Sequence, residues 1–127
     1  MPIHGDGSQS RSFTYVSDHV DGVIAAIEGD HANLVVNLGS TQEITIRDLG
    51  CLIWRLVRGT EEPRLDIVPY SDFGRYEDVQ RRVPDISRAR SLFGFEPKVD
   101  LVSGLERTID WQIGRRDIQA ERRAVEV

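Results

Sequence analysis

The sequence predicts a single mixed α/β domain, and three observations carry that expectation. Short β-branched or aromatic runs alternate with apolar residues at helical spacing. Glycines stand where the helical runs stop, at Gly29, Gly59 and Gly94. The length, 127 residues with 39% hydrophobic composition, suits one core, and no repeat or internal boundary divides it.

Pro2-Ile3-His4 reads as a short edge strand entering a turn at Gly5-Asp6-Gly7. Phe13 to Val16, aromatic and β-branched, predicts a second strand. Ser17 or Asp18 is placed to cap a first helix, with Asp21 in the first turn, where the helix dipole favours negative charge. Val20, Val23, Ile24 and Ile27 give that helix an apolar face. Leu34 to Leu38 (LVVNL) predicts a buried strand closed by Gly39-Ser40, and Glu43-Ile44 is extended. Thr45 is placed to cap a second helix whose face is Ile46, Leu49, Leu52, Ile53, Leu56 and Val57.

Leu65 to Val68 predicts a further strand, arrested by Pro69. Tyr70 to Val83 is polar and aperiodic, which predicts a loop of a length that often carries function. Ser87 is placed to cap a short helix that breaks at Gly94. Asp100 caps a last one carrying Leu101, Leu105, Ile109 and Ile113. Past Gly114 the residues are mostly polar, so the expected division is an ordered lobe over 1–114 and a polar tail over 115–127.

Composition excludes some roles. A net charge of −5 argues against general nucleic-acid binding, because a phosphate backbone would be repelled. No apolar run approaches the roughly 18 residues of a membrane span, and MPIHGDG is not a secretion signal. The expectation is a soluble cytoplasmic protein with neither nucleic acid nor membrane as partner. Cys51, inside an apolar run, reads as a core thiol and is compatible with a reducing compartment.

The chemistry is marked first by what is missing. There is no G-x-G-x-x-G fingerprint and no Walker pattern. His4, His19 and His31 lack metal-ligand spacing, and no tyrosine has a lysine four residues on. No catalytic, cofactor-binding or metal-ligating residue is therefore assigned. What remains are two arginine-centred segments in a chain whose only lysine is Lys98. Arg11 follows GDGSQS, a flexible turn whose amides can approach a ligand, and its planar fork suits phosphate. Arg82 lies in DVQRRVPDI, where Asp78 is placed to pair with it. From the residues alone, a solvated arginine and a local surface ion pair are the simpler readings of these two segments.

Three motifs in order, GDGSQSRSFTYVSDHVDGVIAAIEG, NLGSTQEITIRDLG and RRVPDISRARSLFGFEPKVDLVSGLERTIDW, resemble the C-terminal third of extended short-chain dehydrogenase/reductases. These are the nucleotide-sugar epimerases, dehydratases and decarboxylases. The likeness is strongest to UDP-glucuronate decarboxylase and dTDP-glucose 4,6-dehydratase-like members, over Pro2 to Trp111.

The resemblance implies a small mixed α+β substrate-binding lobe over 1–114, without the Rossmann domain that binds NAD and carries the catalytic residues. It implies that Ile3 and His4 lie against a nucleobase, His4 standing where the family has Tyr or Phe. Gln9 and Arg11 then face the ribose and diphosphate, with Arg82 as the second diphosphate arginine. Tyr15 is implied to be a packing residue. The expected ligand is a nucleotide-diphosphate sugar. NAD belongs to the full-length family and is not bound by this chain alone, which is expected to be inactive. The alternative is a non-catalytic nucleotide-sugar binding or assembly module that forms a homo-oligomer or complements a separate Rossmann chain. Either way, a lobe without its Rossmann partner exposes apolar surface.

Overall fold

The computed structural model describes residues 1–29, 33–73 and 78–125. In chain order the elements are β1 (Pro2–His4), β2 (Ser10–Ser12), α1 (Val16–Glu28), β3 (Glu43–Thr45), α2 (Ile46–Arg58) and β4 (Asp66–Val68). A 3-10 turn at Tyr70–Phe73, β5 (Arg81–Arg82), α3 (Ser87–Phe93) and α4 (Leu101–Val125) follow. The mixed α/β expectation is met.

Two small sheets organise the strands. β1 pairs parallel with β4, placing Ile3 opposite Ile67. β2 is the centre of the second sheet, antiparallel to β3 and parallel to β5. In that parallel pairing Ser10 faces Arg81 and Arg11 faces Arg82. Ile86, Ala89 and Phe95 form the buried cluster, with Val36, Leu38 and Phe93 packed on it. α1 approaches this cluster closely because Gly22 has no side chain. A Cβ there would stand 2.7 Å from the Phe95 ring.

α2 forms as its sequence predicts. Thr45 Oγ1 accepts from Asp48 N at 3.0 Å at its start, and Gly59 ends it. α3 stops at Gly94, in the left-handed conformation, but its start differs. Asp85, not Ser87, does the capping, its carboxylate accepting the Ser87 amide at 2.9 Å. Asp100 caps α4 through Ser103 N at 3.0 Å.

Other expectations fail for local reasons. β2 lies over Ser10–Ser12 rather than 13–16, because only the upstream residues have strands on both sides, and Val16 is already helical. Neither Ser17 nor Asp18 caps α1; Tyr15 holds the cap position without a side-chain bond. Asp18 instead points inward, 4% exposed, and accepts the amides of Lys98 and Val99 at 3.0 and 2.9 Å. The strand expected over 34–38 does not form. Among the described residues no strand lies beside it to complete a ladder, although Val36 and Leu38 reach the core. The 70–83 segment is not wholly loop: it holds the 3-10 turn and β5. α4 runs through Gly114 to Val125 where the polar composition suggested an end.

α1 is docked the opposite way from its amphipathic pattern. Asp18, Gly22 and Ala25 share one side of a 3.6-residue helix, and Asp18 and Gly22 are its buried residues. Val16, Val20, Val23, Ile24 and Ile27 share the other side and are exposed, Ile27 to 76%. Leu34 and Val35 are exposed as well, Val35 to 81%. The usual rule for a helix on a core is apolar side in. Here small residues face the core, and the aliphatic stripe is left open.

Candidate functional site

The site begins with the short sequence between β1 and β2. Gly5 has φ +71°, a left-handed conformation that costs glycine little. A side chain there would also collide with the Tyr70 ring, with a Cβ 2.5 Å from Cε2. The turn therefore lets the aromatic ring lie against backbone. Its far end is tied to α2: Arg47 N donates to Gly7 O at 3.0 Å and Ile46 N to Gln9 O at 2.9 Å.

Between the two sheets opens a cleft of about 590 Å³, lined by Pro2, Ile3, His4, Gln9, Arg11, Ile46, Tyr70, Asp78 and Arg82. All five residues implicated by sequence (Ile3, His4, Gln9, Arg11 and Arg82) lie on this one cavity. Strand register explains the pairing of the arginines. Arg11 and Arg82 are cross-strand neighbours, and directly paired residues project to the same face of a sheet about 4.8 Å apart. The cavity continues past both arginines into a second hollow walled by Ser12, Thr14, Asn37 and Pro84.

A chain of hydrogen bonds runs along the cleft wall. Gln9, buried to 5% exposure, donates from Nε2 to His4 O and to Tyr70 Oη, both at 2.9 Å. Tyr70 Oη donates onward to Asp78 Oδ2 at 2.7 Å. Asp78 Oδ1 accepts from Arg11 Nη2 at 2.7 Å, while Arg11 Nη1 donates to Ser10 O at 2.7 Å. Arg11 and Asp78 side chains are 18% and 17% exposed. The Tyr70 hydroxyl first, and the Arg11 guanidinium with it, hold the Asp78 carboxyl below its ordinary 3.8.

This corrects one sequence expectation. Asp78 pairs with Arg11, 67 residues away, and not with Arg82. The reason is topological: β5 is parallel to β2, which brings the residues just before β5 alongside Arg11. No hydrogen bond or ion pair joins the Arg82 guanidinium to another described residue, and Arg82 is exposed at the cavity rim. Arg81, its neighbour on the opposite face, pairs with Glu43 on β3 at 2.9 Å. Sequence reasoning missed Tyr70 and Ile46 as cleft residues. The available signal for Tyr70 was an aromatic directly after the proline that ends β4, beside β1.

Chemically, the cleft lining combines apolar surface (Pro2, Ile3, Ile46 and the Tyr70 ring) with two guanidinium groups, Arg11 bonded to Asp78 and Arg82 exposed with no hydrogen bond to a described residue. Guanidinium groups beside apolar surface are chemically suited to an anion that carries an apolar group. Among the described residues no cluster of His, Cys, Asp and Glu could hold a metal, and no helix is long and apolar enough to cross a membrane. Tyr15, as expected, packs: its side chain covers Gly104, and the Arg107 guanidinium sits 5.3 Å above its ring.

A family model for GDP-mannose 4,6 dehydratase matches residues 1–108. UDP-glucuronic acid decarboxylase 1 of Danio rerio is 38% identical over 111 residues, covering 87% of this chain and 25% of that protein. UDP-glucose 4-epimerase of Thermotoga maritima, solved with UDP-glucose, superposes with TM-score 0.77 and 30% identity, covering 91% of this chain and 35% of that one. A dTDP-glucose 4,6-dehydratase of Streptomyces venezuelae, solved with NAD bound, gives TM-score 0.81 and 25% identity, covering 92% and 35%. The chain thus spans a quarter to about a third of the length of these relatives. Matched over most of its residues and alike in fold, the chain belongs to the GDP-mannose 4,6 dehydratase family.

Proposed function

We propose that the chain is the substrate-binding lobe of an NAD-dependent nucleotide-sugar epimerase, dehydratase or decarboxylase, and that its cleft grips the nucleotide diphosphate. The observation that carries this is the register pairing of Arg11 with Arg82 on a cleft that is also lined by Pro2, Ile3, Ile46 and Tyr70. Ile3 and His4 lie at the nucleobase end. Gln9 braces the wall between, and Arg11 and Arg82 take the diphosphate. Two guanidinium forks bridging adjacent phosphates give charge-assisted, directional hydrogen bonds, which orient the sugar beyond them.

The residues at the start of α2 do not fit the pyrophosphate of a dinucleotide cofactor. The glycine turn at 5–7 does abut the start of α2, but the amides of Ile46, Arg47 and Asp48 are already taken by Gln9 O, Gly7 O and Thr45 Oγ1. A pyrophosphate cradle needs those amides free. The expected turnover of this chain with NAD and any UDP- or dTDP-sugar is nil.

Titration calorimetry with UDP and dTDP tests the grip. Weak binding by the 127-residue chain is expected, lost on Arg11→Ala and on Arg82→Ala. Binding unchanged in both variants would remove the diphosphate assignment.

A second reading, an assembly module that self-associates or complements a separate Rossmann chain, is favoured by the open stripe on α1. The fully buried value of an aliphatic side chain is about 1.5–3 kcal/mol. Leaving five of them 40–76% exposed forgoes several kcal/mol, a large share of the 5–15 kcal/mol typical of a domain. Leu34 and Val35 are exposed too, in a β-prone run that has no ladder partner among the described residues. Both features suit contact with a further sheet-bearing unit or a second copy of the chain.

A further inference from the structure

We propose that Asp78 is a positioning residue of the cleft, holding the Arg11 fork in the direction a diphosphate requires; the inference rests on the diphosphate reading above. An acid beside an anion site is at first sight adverse. Its charge repels the ligand and occupies one edge of the guanidinium that should receive it. Yet the carboxylate does not stand alone. Asp78 Oδ1 takes Arg11 Nη2 and Oδ2 takes the Tyr70 hydroxyl, both at 2.7 Å, so both oxygens are oriented.

The order of donors along the wall follows from one proton. Tyr70 has a single hydroxyl hydrogen, and Asp78 accepts it, so Tyr70 Oη must itself accept from Gln9 Nε2. Gln9 Nε2 is pinned at the same time by His4 O. Four cleft residues from four separate segments thus end on Arg11, whose other terminal nitrogen is tied to Ser10 O. With Nη1 and Nη2 each committed on one side, the guanidinium plane cannot swing out to solvent. Arg82, by contrast, makes no hydrogen bond or ion pair with a described residue through its side chain and lies exposed at the rim. The cleft sets one fork held by hydrogen bonds beside one that makes none with a described residue. A pre-set donor loses less freedom when the ligand arrives.

This assignment makes a prediction of sign. On charge alone, Asp78→Asn removes repulsion and tightens binding of an anion. If Asp78 positions Arg11, the same change weakens UDP binding, and we expect at least a fivefold loss. Tyr70→Phe, which frees one oxygen of Asp78, weakens it in the same direction and by less. The effect must pass through Arg11, so in the Arg11→Ala background, where UDP binding is lost, Asp78→Asn restores none; binding recovered there would mark Asp78 as a purely repulsive charge and overturn the proposal. UDP bound as tightly or more tightly by Asp78→Asn would overturn the proposal.

A readout without nucleotide separates this from the function itself. Arg11 side-chain N–H signals, assigned by their loss in Arg11→Lys, should be ordered in the wild-type chain and mobile in Asp78→Asn. Equal mobility in both overturns the positioning role whatever UDP does. An ordered Arg11 in a wild-type chain that binds no UDP counts against the diphosphate reading instead.

Discussion

At the scale of single residues, Asp18 carries more of the fold than its place in the sequence suggests. It accepts two amides from residues 80 and 81 positions away and so joins α1 to the segment entering α4. Removing the carboxylate leaves two part-buried amides without their partner, at about 1–2 kcal/mol each. Asp18→Ala is expected to destabilise the chain by roughly 2–4 kcal/mol, measured by urea denaturation. Asp18→Asn, which keeps one acceptor oxygen, should cost less. Sequence reading mistakes this residue for a helix cap because Ser-Asp before an apolar run is the usual signature of one. A carboxylate that caps at long range has no local pattern. Arg11 and Arg82 are legible for a different reason. They lie inside motifs shared with a family, whereas the Asp78 contact depends on a parallel strand pairing that no local periodicity encodes.

At the scale of elements, α2 is the one whose every local cue agrees. It has a Thr45 cap reinforced by Asp48, an apolar stripe and basic residues in the last turn, where the dipole favours them. Thr45→Ala should cost about 1 kcal/mol in an unfolding titration, with the cleft otherwise intact. The strands are legible where they are edge-like and short, as in β1, β3 and β4, because propensity and turn residues bound them. The 34–38 run fails in the other direction. LVVNL has strong β character, but a strand exists only with a neighbour, and propensity says nothing about whether one is present. The stripe on α1 is the same lesson for a helix. Periodicity identifies an apolar side correctly but cannot say that the small-residue side is the one this chain buries.

At the scale of the whole molecule, two properties should be measurable. Asp6, Glu43, Asp78, Asp85, Glu96 and Asp100 all have carboxyls held below their ordinary values of 3.8 or 4.5. Hydrogen bonds from Ser8, Ser10, Tyr70, Ser87, Arg90 and Ser103 respectively are the leading causes. A folded-state value below the unfolded one means stability is present above the ordinary value and is lost as pH falls from there through the lower folded-state value. Thermal melts should therefore be flat from pH 7 to about 5 and fall below 4.5. The second property is association. With its aliphatic stripe open, the chain alone should sediment as an oligomer, and Ile24→Lys with Ile27→Lys should return it to monomer. A monomeric wild-type chain would remove the assembly reading. The register of the two sheets has a further consequence, in time rather than in space. β1 is complete at residue 4 but pairs only with β4, at residues 66–68, and β2 waits for β5 at 81–82. At roughly 5–20 residues per second of synthesis, β1 stays unpaired for about 3–13 s while α1, with its open stripe, and α2 are already made. Parallel pairings across such separations close late and slowly. Yield from a cell should then depend on chaperone supply and growth temperature more than on the final stability of the fold.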